Sequence, residues 1–324
     1  MPGIIKDTPF KTISVKELHP TFGAEIEGVD FENLSQEQFD EIKAALAKYG
    51  VCVFRNTGMD DDKHVEFSRR FGELDDIKRY MQPGAKLRYK YYELFDAGNV
   101  DENGQVVDPE STRAHYNRGN LLWHVDSSFN PRRASMSILR AYELPPAGTG
   151  GDTEFADSRS AFDALPEDLK QELLSRDYVA AHSHAWSRKK GSPDFFKELD
   201  PTGSKMARHR LVQRHEPSGR MNIYTAAHAH HVEGLSQDES DKLLDTLAKH
   251  VTQPRFVLDV AWQNPTDLII WDNTCVMHRA AGGSFEGKYR RDLRRTTVHD
   301  DSPTAWGLNE KDFAPPGLMA RRGV

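Results

Sequence analysis

The apolar positions follow two regimes along the chain. In the first, Phe39, Ile42, Ala45, Leu46 and Tyr49 recur at helical spacing. Ser35 and Gln38 form a capping box ahead of them, and Gly50 is a natural stop behind them, so a helix is predicted between. Val51-Cys52-Val53-Phe54-Arg55 follows as a short apolar run of the buried-strand type. A second helix is expected from about Asp60 to Phe71, ending at Gly72, and Phe22–Asp30 reads as a short strand with turn glycines. From Leu122 onward the pattern is mostly one of short strands. Leu122–Phe129, Ala134–Leu144, Asp152–Phe155, Phe256–Trp262, Asp267–Trp271 and Leu293–Val298 are candidates, and Leu211–His215 with Arg220–Thr225 predicts a hairpin around Pro217-Ser218-Gly219. Helices interrupt this series at Ser158–Leu165 and Glu167–Arg176, and again between Ser236, which forms a capping box with Glu239, and about His250.

Two stretches resist this reading. Residues 73–121 contain one strand candidate, Tyr89–Leu94, within a long polar segment rich in Gly and Asn; a cover over a substrate and an inert surface loop fit it equally. Residues 185–207 are polar and lysine-rich and read as an insertion; residues 300–324, with Trp306 and Phe313, read as a C-terminal extension. Short strands with flanking helices predict a mainly β fold, a barrel or jelly roll, in one catalytic domain spanning 1–324. No strand–GxGxxG–helix unit, P-loop, GxSxG elbow or CxxC pair is present.

Composition narrows the class. The chain has 324 residues, 37% hydrophobic and 29% charged, with a net charge of -7, so neither nucleic acid nor an anionic membrane is an expected partner. No apolar run approaches membrane-spanning length, and Met1–Asp7 shows no secretory leader. Two cysteines, Cys52 and Cys275, each in an apolar run, exclude a disulfide framework and point to a reducing, cytoplasmic location. Homo-oligomerisation is left open.

The candidate chemistry starts at His124 and Asp126. On a strand, residues two apart share a face, and a distant second histidine would complete a facial triad of two histidines and one carboxylate, a ligand set suited to non-haem Fe(II) and oxygen chemistry. Taken alone, His-x-Asp is common, and a satisfied histidine beside a buried tryptophan explains it better. If 291–298 is a strand, Arg291, Leu293, Arg295 and Thr297 share one face, and two inward arginines need anions. A generally basic, solvated strand explains them equally well.

Four groups in order, His124-Val125-Asp126, Gly150-Gly151-Asp152-Thr153-Glu154-Phe155, Trp271-Asp272-Asn273 with His278, and Arg291 with Arg295, resemble the taurine/2,4-dichlorophenoxyacetate dioxygenase family of Fe(II)- and 2-oxoglutarate-dependent enzymes. Phe22–Asp30, Phe67–Gly72 and His228–Leu235 extend the likeness, which is closest to the 2,4-dichlorophenoxyacetate branch in Leu122–Phe129, Tyr91–Val100 and His228–Leu235. The resemblance implies a double-stranded β-helix, a distorted jelly roll, with helices outside. It implies His124, Asp126 and His278 as iron ligands, Arg291 with Thr153 on the distal carboxylate of 2-oxoglutarate, and Arg295 nearer the substrate or assisting the cosubstrate. It also implies oxidation of a substrate C–H bond by O2, coupled to decarboxylation of 2-oxoglutarate to succinate and CO2.

A small anionic substrate is expected, with Lys78, Lys90, Arg295, His228 and His231 as the cationic or switchable groups around it. A sulfonate, a sulfate ester or an amino acid is an alternative substrate, and a non-catalytic jelly-roll binding protein is the rival from another class.

Overall fold

The computed structural model describes residues 10–80 and 87–311. The N-terminal leader reading and Phe313 of the extension lie outside the described residues. A seven-stranded sheet runs in the order Ser14–Glu17, Ala24–Glu27, Val51–Phe54, Leu268–Asp272, Ala134–Glu143, Asp292–His299, Phe95–Asp96. Its pairings are antiparallel, save the parallel one between Ala24–Glu27 and Val51–Phe54. Facing it is a three-stranded sheet in the order Val257–Val260, Thr153–Asp157, Val276–Ala280. A second three-stranded sheet (Ala229–Val232, Val179–His182, Ala207–Arg210) and the hairpin Val212–His215/Arg220–Ile223 complete a distorted jelly roll.

The central strands are buried on both faces, which is why their sequences read as continuous apolar runs. Leu268 and Ile270 point to one core and Ile269 and Trp271 to the other; Cys52 and Phe54, and Val51 and Val53, divide in the same way. The outer core is closed by the helices Gln36–Tyr49 and Asp61–Arg69, which bring Phe39, Ile42, Leu46 and Phe67 onto the sheet. The inner core lies between the two layers, where Phe155, Val260 and Val276 meet Leu139, Trp271 and Leu293.

Three local expectations change. Leu122–Phe129 is not a strand: it makes one isolated bridge at His124 and then turns, with Ser127 at a positive φ of 56°. Tyr89–Leu94 is irregular, and the strand is only Phe95–Asp96. Residues 185–207 begin inside the helix His184–Gly191, capped by the Ser183 hydroxyl, which buries His184, Ser187 and Arg188. The Ser35 box is half made: Ser35 accepts from the Gln38 amide, while the Gln38 side chain donates instead to the carbonyls of Thr12 and Gly28. Of the extension, residues 300–311 pack on the body, where Arg133 Nε meets a buried Asp300 at 2.7 Å and Leu308 N–H donates to Arg208 O at 3.0 Å.

Candidate active site

The centre forms where residue 124 crosses residue 278. His124 N–H donates to His278 O at 2.9 Å and His278 N–H donates to His124 O at 2.8 Å, which sets the two rings 4.2 Å apart between centroids. Asp126 joins them from the turn. Its backbone N–H donates to Asn273 Oδ1 at 3.0 Å instead of to a neighbouring strand, so a side chain takes over the role of a ladder partner.

His124 Nε2 lies 3.9 Å from Asp126 Oδ1, and His278 Nε2 lies 3.5 Å from Asp126 Oδ2. One donor atom of each residue lies within 4.8 Å of the others. These separations exceed a hydrogen bond and suit three donors around a shared ion. His124 Nδ1 sits 2.7 Å from Leu122 O; with the proton on Nδ1, Nε2 presents its lone pair to the centre. His278 Nδ1 is buried and has no hydrogen-bond partner among the described residues. The donor set therefore fits a divalent metal of the Fe(II) type with open positions.

Electrostatics favour the ligating forms. Burial pushes both histidines below their ordinary value, against the pull of Asp126, so they are neutral at neutral pH. Burial alone would raise Asp126. Arg295, the two histidines and the Ser137 hydroxyl outweigh it and bring the carboxyl to about 2. Arg295 Nη1 contacts Asp126 Oδ1 at 2.7 Å, and Ser137 Oγ donates to Oδ2 at 2.7 Å.

Arg291 is buried just ahead of the strand Asp292–His299, which carries Arg295. Its Nε donates to Gly151 O at 2.8 Å. Burial brings its pKa down to about 10, with Asp152 and Glu286 opposing, and it is still a cation at neutral pH. Gly151, at φ +94°, is packed so closely that an added Cβ would come within 3.1 Å of Arg291 Cδ and Nε. Thr153 is buried on the strand paired with the His278 strand, and its hydroxyl accepts from Trp262 Nε1 at 3.2 Å. A buried guanidinium with no carboxylate in ion-pair contact among the described residues suits an anion such as the distal carboxylate of 2-oxoglutarate.

Above His124 and Asp126 opens a cavity of about 660 Å³, counting its mouth. Asp75, Ile77, Glu93, Phe95, Tyr116 and Asn120 line it from the described parts of the stretch that resisted assignment. Phe129, His184, Arg188, His228, Arg295 and Thr297 form the rest of the wall.

Of the residues expected around a substrate, Arg295 and His228 line this cavity, and the His228 ring stands 5.8 Å from that of His124. The structure does not bring the other three there. Lys90 is exposed and pairs with Asp62 at 3.0 Å. Lys78 is exposed over the Tyr92 ring, in a separate groove. His231 faces His230, Nδ1 to Nδ1, at 2.9 Å.

Arg188 and Ser137 were missed. Arg188 opens the run Arg188-Lys189-Lys190, which reads as solvated. The available signal was helical periodicity: His184, Ser187 and Arg188 lie on one helix face behind Ser183.

Among the described residues no helix is long and apolar enough to cross a membrane. Residues 14–297 match the model of the taurine catabolism dioxygenase TauD, TfdA family. The chain is 39% identical over 296 residues to the alpha-ketoglutarate-dependent 2,4-dichlorophenoxyacetate dioxygenase of Cupriavidus pinatubonensis, covering 90% of this chain and 99% of that one. It is 30% identical to the (S)-phenoxypropionate/alpha-ketoglutarate-dioxygenase of Sphingobium herbicidovorans, covering 82% and 88%. The crystal structure of AAD-2 in complex with Mn(II) and N-oxalylglycine superimposes with a TM-score of 0.81 at 34% identity, covering 91% of this chain and 100% of that one. With the two histidines and the carboxylate already converging in a jelly roll, the chain belongs to the TauD/TfdA family of 2-oxoglutarate-dependent dioxygenases.

Proposed function

We propose that the whole chain acts as one catalytic domain that oxidises a C–H bond of a small carboxylate, using Fe(II), O2 and 2-oxoglutarate. The observation that carries this is the convergence of His124, Asp126 and His278 beneath a cavity lined by the buried Arg188 and the half-buried Arg295. His124, Asp126 and His278 would hold ferrous iron, which when bound would supply oxygen activation coupled to the decarboxylation of 2-oxoglutarate to succinate and CO2 and to oxidation of the substrate C–H bond.

The rest is positioning. Arg291, fixed by Gly151 and assisted by Thr153, holds the distal carboxylate of 2-oxoglutarate. Arg295 neutralises Asp126 on its Oδ1 side and keeps that carboxylate ionised. Ile77, Phe95 and Phe129 exclude water and receive the apolar part of the substrate. The two cysteines are buried and unpaired, in keeping with a cytoplasmic enzyme.

The test is optical and chemical. Anaerobic protein with Fe(II) and 2-oxoglutarate should develop a weak visible charge-transfer band, and His124→Ala should abolish it. In air, a panel containing 2,4-dichlorophenoxyacetate, alkylsulfonates and amino acids should identify the class that stimulates succinate formation. Wild-type protein showing neither the band nor succinate would refute the reading.

A further inference from the structure

Three arginines reach the catalytic region, and they differ in what balances their charge. Arg295 already faces Asp126 at 2.7 Å. Arg291 is taken above by 2-oxoglutarate. Arg188, a residue 5% exposed, lines the cavity, yet no carboxylate among the described residues lies within ion-pair distance of it. We infer that Arg188 is the anchor for the substrate carboxylate and so a determinant of which C–H bond faces the metal centre; this rests on the reaction proposed above.

The guanidinium is held in place before any ligand arrives. Its Nη1 donates to Tyr116 O at 2.6 Å and to Asn120 Oδ1 at 3.2 Å. It stacks over the Tyr116 ring at 4.6 Å and lies so tightly on Gly119 that an added Cβ there would come within 2.4 Å of Nη1. Nε is buried and has no hydrogen-bond partner among the described residues. Neutral oxygens satisfy part of the fork and leave the charge uncompensated. A buried cation in that state costs several kcal/mol unless an anion completes it, and a planar carboxylate matches the fork. The acids that share the cavity do not fill this role: Asp75 faces His299 Nε2 at 3.7 Å, Glu93 pairs with Arg69 at 2.5 Å, and Asp126 is taken by Arg295. With Phe95 and Phe129 also lining the cavity, the site takes a carboxylate that carries an apolar body.

The experiment measures binding directly. Protein loaded anaerobically with Fe(II) and 2-oxoglutarate is titrated with 2,4-dichlorophenoxyacetate and with its uncharged amide, following heat and the shift of the charge-transfer band. The wild type should bind the acid at least about 30-fold more tightly than the amide, the scale expected for a buried charged pair. Arg188→Gln should erase that preference, and Arg188→Lys should restore part of it. In both variants 2-oxoglutarate affinity and circular dichroism should stay unchanged, which a merely structural role for Arg188 would not allow. Lys90→Ala should behave as wild type. An acid preference that survives in Arg188→Gln, or a wild type without one, overturns the anchor. Loss of the charge-transfer band in the wild type instead overturns the reaction.

Discussion

Asn273 shows how much one residue can hold at this site. Its Oδ1 accepts from Asp126 N–H and from Trp271 Nε1, each at 3.0 Å. Its Nδ2 donates to Ser135 O at 3.1 Å and to Ser137 Oγ at 2.9 Å, and Ser137 donates onward to Asp126 Oδ2. Both the backbone and the carboxylate of Asp126 thus depend on it. Asn273→Ala strands two buried N–H donors, at a cost of about 1–3 kcal/mol each. Loss of such support around a metal ligand typically weakens metal binding by about 10–100-fold. A titration of the variant with Fe(II), alongside urea unfolding, checks both effects. Unchanged metal affinity would show that Arg295 and Ser137 hold Asp126 without Asn273. The sequence shows Trp271-Asp272-Asn273 clearly, but not that Asn273 would stand in for a strand at Asp126, because that depends on two segments crossing in space.

The helix His184–Gly191 was hidden for a related reason. Its residues look solvated because Lys189 and Lys190 dominate its composition, while its buried face is made of His184, Ser187 and Arg188 instead of apolar side chains. The hydrophobic pattern is a good guide where a helix buries hydrocarbon, as Gln36–Tyr49 does, and fails where it buries polar groups. The strand runs were legible because the central sheet is covered on both sides; their order in the sheet was not, since pairing is non-local. Gly191 marks where this helix meets the turn Arg118–Leu121. An added Cβ would come within 2.7 Å of Gly119 N and 2.8 Å of its Cα, and backbone cannot yield as a flexible side chain can. Gly191→Ala is therefore expected to push the helix outward, destabilising the fold by about 1–3 kcal/mol. Because Arg188 rides on this helix, binding of the aryloxy acid should weaken while 2-oxoglutarate binding holds. Urea unfolding and paired titrations of the two ligands measure this, and equal weakening of both would point to a general loosening.

At the scale of the molecule, the buried histidines make stability depend on pH. Burial lowers His64 to about 3, with Arg140 adding to the effect. Burial with the nearby Arg133 lowers His209 to about 4, against the pull of Asp300. His182 is also well below its ordinary value, for burial and for its neighbour His209. In the unfolded chain each titrates near 6.5. Below that pH the unfolded state takes up protons that the folded state refuses, so the stability is complete above about 6.5 and falls as pH drops toward the folded values. Each such histidine contributes a slope of about 1.4 kcal/mol per pH unit inside its window. Asp126 acts lower: its stabilising contribution is present above the ordinary carboxylate range and is lost as pH falls toward its folded value of about 2. Between pH 6 and 4, then, the histidines set the trend. The urea midpoint of the metal-free protein should fall steadily from pH 7 to pH 5. His209→Gln replaces one of these groups with a side chain that does not titrate, so whatever it costs at pH 7, it should reduce the slope by about one proton's worth. A variant with the wild-type slope would show that His209 opens to water before the chain unfolds.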